Sequence, residues 1–167
     1  MPDFFSHVAV AYVVLQITAW RVRWLDTPLI VVGLAGALVP DAVKIGLLVP
    51  SYEVAAALGR PFSWSPLHRL GGAVVTAAIA SLLVERDQRR VVFGLLVFGL
   101  LSHLALDALL ARPGPYTYDM LYPLTDWPVP FLDLDLYLSS DYWPSVASGA
   151  AAAAVFALTR YTALGDD

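Results

Sequence analysis

Apolar residues run along this chain in five blocks, each ended by charge or proline. The blocks cover about 4–20, 28–49, 70–84, 91–111 and 145–158. A helix that crosses a bilayer needs about 20 residues, with a usual range of about 17–25. The second and fourth blocks meet that length; the other three reach it only if flanking residues extend them. Pro28 suits a first helical turn. Arg21 and Arg23 end the first block, the run Glu85-Arg86-Asp87-Gln88-Arg89-Arg90 ends the third, and Arg112-Pro113-Gly114-Pro115 stops the fourth. The fifth block is rich in alanine, which favours close helix packing over lipid contact.

Two longer connections remain. The stretch 50–69 holds Pro50, Pro61 and Pro66, and its middle, about 53–59, predicts a short helix with Gly59 as its stop. The stretch 112–144 carries six prolines and five aspartates, Asp119, Asp126, Asp133, Asp135 and Asp141. It is too polar and too broken to span, and its Tyr and Trp residues suit the headgroup zone. It is either a lid or binding surface, or an interfacial cap over the helix ends. The expected fold is all-α: a polytopic membrane helix bundle of about five helices. It forms a single membrane-embedded domain over 1–167, with a long outward aromatic and acidic loop.

Composition supports the membrane reading. The chain is 59% hydrophobic and 14% charged, with mean hydropathy +0.68, whereas a soluble domain is about a quarter charged. A net charge of −4 argues against nucleic-acid binding. The absence of cysteine leaves only His, Asp and Glu to hold a metal. The N-terminus lacks the basic region of a signal peptide, so its apolar run is expected to be a retained helix.

If all five blocks cross, Arg21, Arg23, Arg86, Arg89, Arg90 and Arg160 share one side, which the positive-inside rule places in the cytoplasm. The N-terminus and the connections 50–69 and 112–144 then face outward. This topology also sorts the chemistry. His103 and Asp107 are four apart in an apolar helix and so share one face. Such a pair is costly in an apolar setting without partners. The two either hydrogen-bond each other or hold a metal. His7 near the outer end of the first helix, Asp41 beside Pro40 and His68 just before the third helix converge on the same leaflet. Pro40 is expected to break its helix and aim the Asp41 carboxylate. His7, Asp41, His68, His103 and Asp107 form a ligand set that suits zinc, manganese or iron better than calcium. Each has a plainer alternative. His7 can be an interfacial histidine, His68 a loop residue, and Asp41 a partner of Lys44 one turn along. Arg69 beside His68 either neutralises a phosphate or carboxylate or pairs with an aspartate of the long loop.

The order of these motifs carries a resemblance. Ser6-His7, Gly36-Ala37-Leu38-Val39-Pro40-Asp41, Leu67-His68-Arg69, Leu101-Ser102-His103-Leu104-Ala105-Leu106-Asp107 and Leu121-Tyr122-Pro123-Leu124 follow one another along the chain. In this the chain resembles the membrane-bound metal-dependent hydrolases of bacteria and archaea, a family that includes a LexA-binding inner-membrane protein. The likeness runs from about residue 4 to about 124. More distantly that family resembles the zinc-dependent phospholipase C and P1 nuclease group, which implies phosphoester substrates by fold-level analogy. Two departures stand out: Val43 and Lys44 occupy places where the family often has a second acid and a histidine, and Leu70-Gly71-Gly72-Ala73 offers no second histidine after His68-Arg69.

The function expected from this sequence is a membrane-bound metal-dependent hydrolase in which metal-activated water attacks an ester or phosphoester, with a lipid-linked one favoured. His7, Asp41, His68, His103 and Asp107 would hold the metal. Asp41 or Asp107 is alternatively a general base, and Arg69 would stabilise developing negative charge. The alternatives are a non-catalytic membrane protein with a structural metal or polar cluster, and a metal-ion transporter. Against transport, the inner half shows no acidic or imidazole relay.

Overall fold

A computed structural model describes residues 4–111, 119–125, 136–138 and 140–164. The order is α1 (Phe4–Ala19), α2 (Thr27–Leu38), a 3-10 helix (Pro40–Leu47), α3 (Ser51–Leu58), a second 3-10 helix (Ser65–His68), α4 (Leu70–Ser81), α5 (Arg89–Ala108) and α6 (Trp143–Leu164). Among the described residues there is no strand beyond one isolated bridge, between Leu110 and Tyr137. The expected all-helical class holds.

α5 is the central element. It lacks proline, and it buries Val92, Leu96, Gly99, Leu100, His103, Leu104 and Asp107, the three-and-four spacing of one helical face. Ala73 and Ala77 of α4 pack on that face together with Met120 of the following connection. Leu15, Leu25 and Ile30 from α1, the first connection and α2 pack beside Leu95. α2 approaches α5 more closely than side chains would permit. A Cβ on Gly36 would collide with the Leu96 backbone, and one on Gly99 with the Gly33 carbonyl. Neither obstacle is the tip of a flexible side chain, so Gly36→Ala should cost about 1–3 kcal/mol of stability through overpacking. Gly94→Ala, where a Cβ meets nothing within 4 Å, should be neutral or slightly stabilising. Thermal melts of both variants in detergent test the close approach, and equal melting temperatures would refute it.

The block 28–49 is not one helix. α2 ends at Leu38, and the chain bends by 53° into the 3-10 helix Pro40–Leu47. Pro40 has no N–H to continue the ladder, and its ring would clash with the carbonyl four residues back. Elsewhere α4 stops at Ser81 with only 12 residues, α1 has 16, and α6 extends beyond the expected 145–158 in both directions. By length and apolar character, α5 alone among the described residues is a clear candidate to cross a membrane. The bent α2 and 3-10 pair is a second if it counts as one broken span. The short helix expected at 53–59 is α3, and Gly59 closes it with φ 64.

Helix directions set which residues meet. Ser6 Oγ lies 3.0 Å from Ser145 Oγ, and Trp20 Nε1 donates to Thr159 Oγ1 at 3.1 Å, so α1 and α6 run parallel. α1 and α5 run antiparallel, with His7 facing Asp107 and Leu15 packing with Leu95. The three histidines therefore gather at one end of the bundle, and Arg21, Arg23, Arg86, Arg89, Arg90 and Arg160 at the other. Large apolar side chains such as Leu47, Leu48 and Leu83 are more than 80% exposed, an outer surface suited to lipid. Asp126, Asp133 and Asp135, with most of the 112–144 connection, lie outside the described residues.

Candidate metal centre

Four pieces of backbone carry the cluster. The first turns of α1 bring His7, the 3-10 turn after Pro40 brings Asp41, the 3-10 turn before α4 brings His68, and the last turns of α5 bring His103 and Asp107. All five side chains are buried: His7 and His103 completely, Asp41 and Asp107 to within 2%, and His68 to within 8%. Their donor atoms fall into two groups able to hold an ion, His7 with His103 and Asp107, and Asp41 with His68 and His103.

Three of the donor atoms are spaced as ligands around one centre could be. His68 Nε2 lies 3.0 Å from Asp107 Oδ2, His103 Nε2 lies 3.4 Å from the same oxygen, and the two Nε2 atoms are 3.3 Å apart. His7 Nε2 is 3.6 Å from Asp107 Oδ1. Ligands at about 2.0–2.1 Å from a tetrahedral ion stand roughly this far from one another. The His7 and His103 rings stack at 3.6 Å with planes 12° apart.

Hydrogen bonding supports the same use. His103 Nδ1 is 2.7 Å from the Ala37 carbonyl and must donate to it, because that oxygen can only accept. This fixes the tautomer and leaves Nε2 facing the cluster as a lone pair, the arrangement of a metal-ligating histidine. The close α2–α5 contact at Gly33, Gly36 and Gly99 is what brings Ala37 within reach. Neither ring nitrogen of His7 has a hydrogen-bond partner among the described residues. A fully buried imidazole in that state is costly, and a cation would satisfy it. These imidazoles and carboxylates could hold a metal ion.

Lys44 borders the site. Lys44 Nζ lies 2.8 Å from Asp41 Oδ2, and the same ammonium sits 3.9 Å above the Phe4 ring. The pairing of Asp41 with Lys44 is thus present together with the convergence on His68 and His103. Arg69 is not brought into the cluster. Its Nη2 and Nε meet Asp119 Oδ2 and Oδ1 at 2.7 and 3.1 Å, the expected pairing with an aspartate of the long connection. Beside it, Leu70 N–H and Gly71 N–H donate to the carbonyls of Met120 and Tyr122, so the segment 119–124 straps the start of α4 next to His68.

Sequence reading missed the Ala37 carbonyl and Tyr137 as parts of the site's frame. The signal available was the Gly33-Leu34-Ala35-Gly36 spacing for the first; Tyr137 is one of many loop aromatics and carries none. Its hydroxyl donates to Leu106 O at 2.7 Å and pins residues 136–138 to the end of α5, one residue from Asp107. Burial pushes this hydroxyl up to about 12, with the Asp107 charge adding to the effect. The neutral form is favoured in the fold, so its contribution is complete below the ordinary value of 10.0 and fades as pH rises through about 12. Tyr137→Phe should cost about 1 kcal/mol. The difference in melting temperature from wild type should stay constant from about pH 6 to pH 9, and a difference that vanished in that window would count against the assignment.

No curated protein and no solved structure matches the chain. A family model of the YdjM inner membrane protein matches residues 1–164. The expected inner-membrane character agrees with that match, and the chain belongs to the YdjM inner membrane protein family.

Proposed function

We propose that the chain is a membrane-embedded, divalent-metal-dependent hydrolase acting on an ester or phosphoester at the bilayer surface. The observation that carries this reading is the buried five-residue cluster, in which His7, His68 and His103 each lie 3.0–3.6 Å from an Asp107 oxygen, Asp41 lies within 4.8 Å of His68 and His103, and one histidine is already oriented by a backbone carbonyl. The bundle would cross the bilayer with its arginine end cytoplasmic and its histidine end outward. Zinc is the ion the imidazole-rich set favours, with manganese and iron as alternatives.

The chemistry a divalent cation supplies is an activated nucleophile near neutral pH and polarisation of the scissile group. His7, His68, His103 and Asp107 would hold it, because the Asp107 oxygens face all three imidazoles. Asp41 would serve as general base. One oxygen is anchored by Lys44, and Oδ1 has no hydrogen-bond partner among the described residues to compete for the proton. Arg69, about one third exposed beside His68, would meet negative charge on the substrate. Asp119 holds its Nε and Nη2 edge and leaves the other edge for that role.

The depth of the cluster favours a second reading, a non-catalytic protein in which the same residues hold a structural cation or join helices by hydrogen bonds. The two readings separate on a panel of lipid phosphoesters and simple aryl esters, tested with metal-loaded protein in mixed micelles. Turnover should appear, vanish with chelator, return with metal, and fall about 100-fold or more in Asp41→Asn. Metal-loaded protein that turns over no member of the panel supports the structural reading.

A further inference from the structure

At the arginine end, away from the histidines, α1 and α5 leave an open groove of about 390 Å³. Leu15 and Thr18 of α1, Trp24 of the first connection, and Arg90, Gly94 and Phe98 of α5 line it. Gly94 faces open space, since a Cβ there would meet nothing within 4 Å. The walls are mainly apolar, while Arg90, in the first turn of α5, and the exposed Trp24 both line the groove. That is the profile of a single amphiphile, with a hydrocarbon tail below and an anion above.

Charge favours the anion. Arg89 is spent on the Leu82 and Val84 carbonyls at the end of α4. Arg90 forms no ion pair among the described residues. Among the described residues at this end of the bundle, Arg21, Arg23, Arg86, Arg89, Arg90 and Arg160 outnumber the acids Asp26, Glu85 and Asp87, and Asp26 is committed to the Leu29 N–H as the cap of α2. Basic sites between membrane helices recognise anionic lipid headgroups, and Trp suits that depth. We infer that this groove holds one acyl chain of an anionic glycerophospholipid whose phosphate sits on Arg90.

The test is native mass spectrometry and thermal melting of the full chain in an uncharged detergent, titrated with phosphatidylglycerol or phosphatidylcholine. Phosphatidylglycerol should be retained one per chain and raise the melting temperature, and phosphatidylcholine should do neither. Arg90→Gln should weaken phosphatidylglycerol binding about tenfold by removing the charged hydrogen bond. Gly94→Leu should fill the groove and abolish the shift while leaving lipid-free melting unchanged or higher, since the new side chain enters open space. Glycerol phosphate, which has the anion without the tail, should not compete. Equal retention of the two lipids, competition by glycerol phosphate, or wild-type affinity in either variant would overturn the assignment.

Discussion

His103→Ala should release the divalent cation and stop turnover, the largest single effect expected on function. His103 belongs to both groups of candidate ligands, so its removal breaks each of them. Loss of a residue that merely supports a ligand weakens metal binding about 10–100-fold, and loss of a ligand should exceed that. Metal content of purified protein is the direct readout, and hydrolysis of the most active panel substrate is the second, expected to fall about 100-fold or more. Truncating a fully buried side chain also leaves a cavity that costs about 2–5 kcal/mol, so stability loss alone decides nothing. Leu100→Ala supplies the control. Leu100 is likewise fully buried on α5, one turn earlier, and faces only apolar neighbours. It should lose comparable stability and keep its metal. A His103→Ala protein with undiminished metal content would remove the basis for a metal centre.

How far the chain discloses this site depends on the range of the forces involved. The shared face of His103 and Asp107 follows from helical period alone, and the stop at Gly59 from glycine's freedom to take a positive φ. The break before Asp41 follows from the missing N–H of Pro40. These are local facts, and local rules reach them. The convergence of His7 and His68 on α5 needed one further step, an alternating order of helices, and the arginine pattern supplied it. The Ala37 carbonyl on His103 lies beyond such reasoning, because any residue has a carbonyl and only the α2–α5 crossing selects this one. Small residues at Gly33, Gly36 and Gly99 fix that crossing through backbone contact, which hydropathy does not register. Hydropathy likewise overstated the second block. It reads 28–49 as one apolar run, whereas the backbone turns by 53° inside it to aim Asp41. The length of α6 was understated for the converse reason: Pro144 and Arg160 interrupt the apolar run but not the helix, Pro144 because it lies in the first turn.

Asp107→Asn should remove about two thirds of the gain in thermal stability that metal confers. Each of the three imidazoles lies within 3.0–3.6 Å of an Asp107 oxygen, so this carboxylate is the anion that offsets a cation in their midst. Asparagine keeps the shape and removes the charge. With free metal at about 1,000 times Kd, binding contributes about 4 kcal/mol to the folded state. In a chain of this size each kcal/mol moves Tm by about 2–4 °C, so metal-loaded and metal-free wild type should differ by about 8–16 °C. A hundredfold weaker site loses about 2.7 kcal/mol of that, which leaves the variant a gap of only about 3–6 °C at the same metal concentration. Paired melts in detergent, with metal and with chelator, measure both gaps. A full gap in Asp107→Asn would show that the carboxylate is not a ligand. No gap in the wild type would show that the histidines and Asp107 join the helices by hydrogen bonds alone.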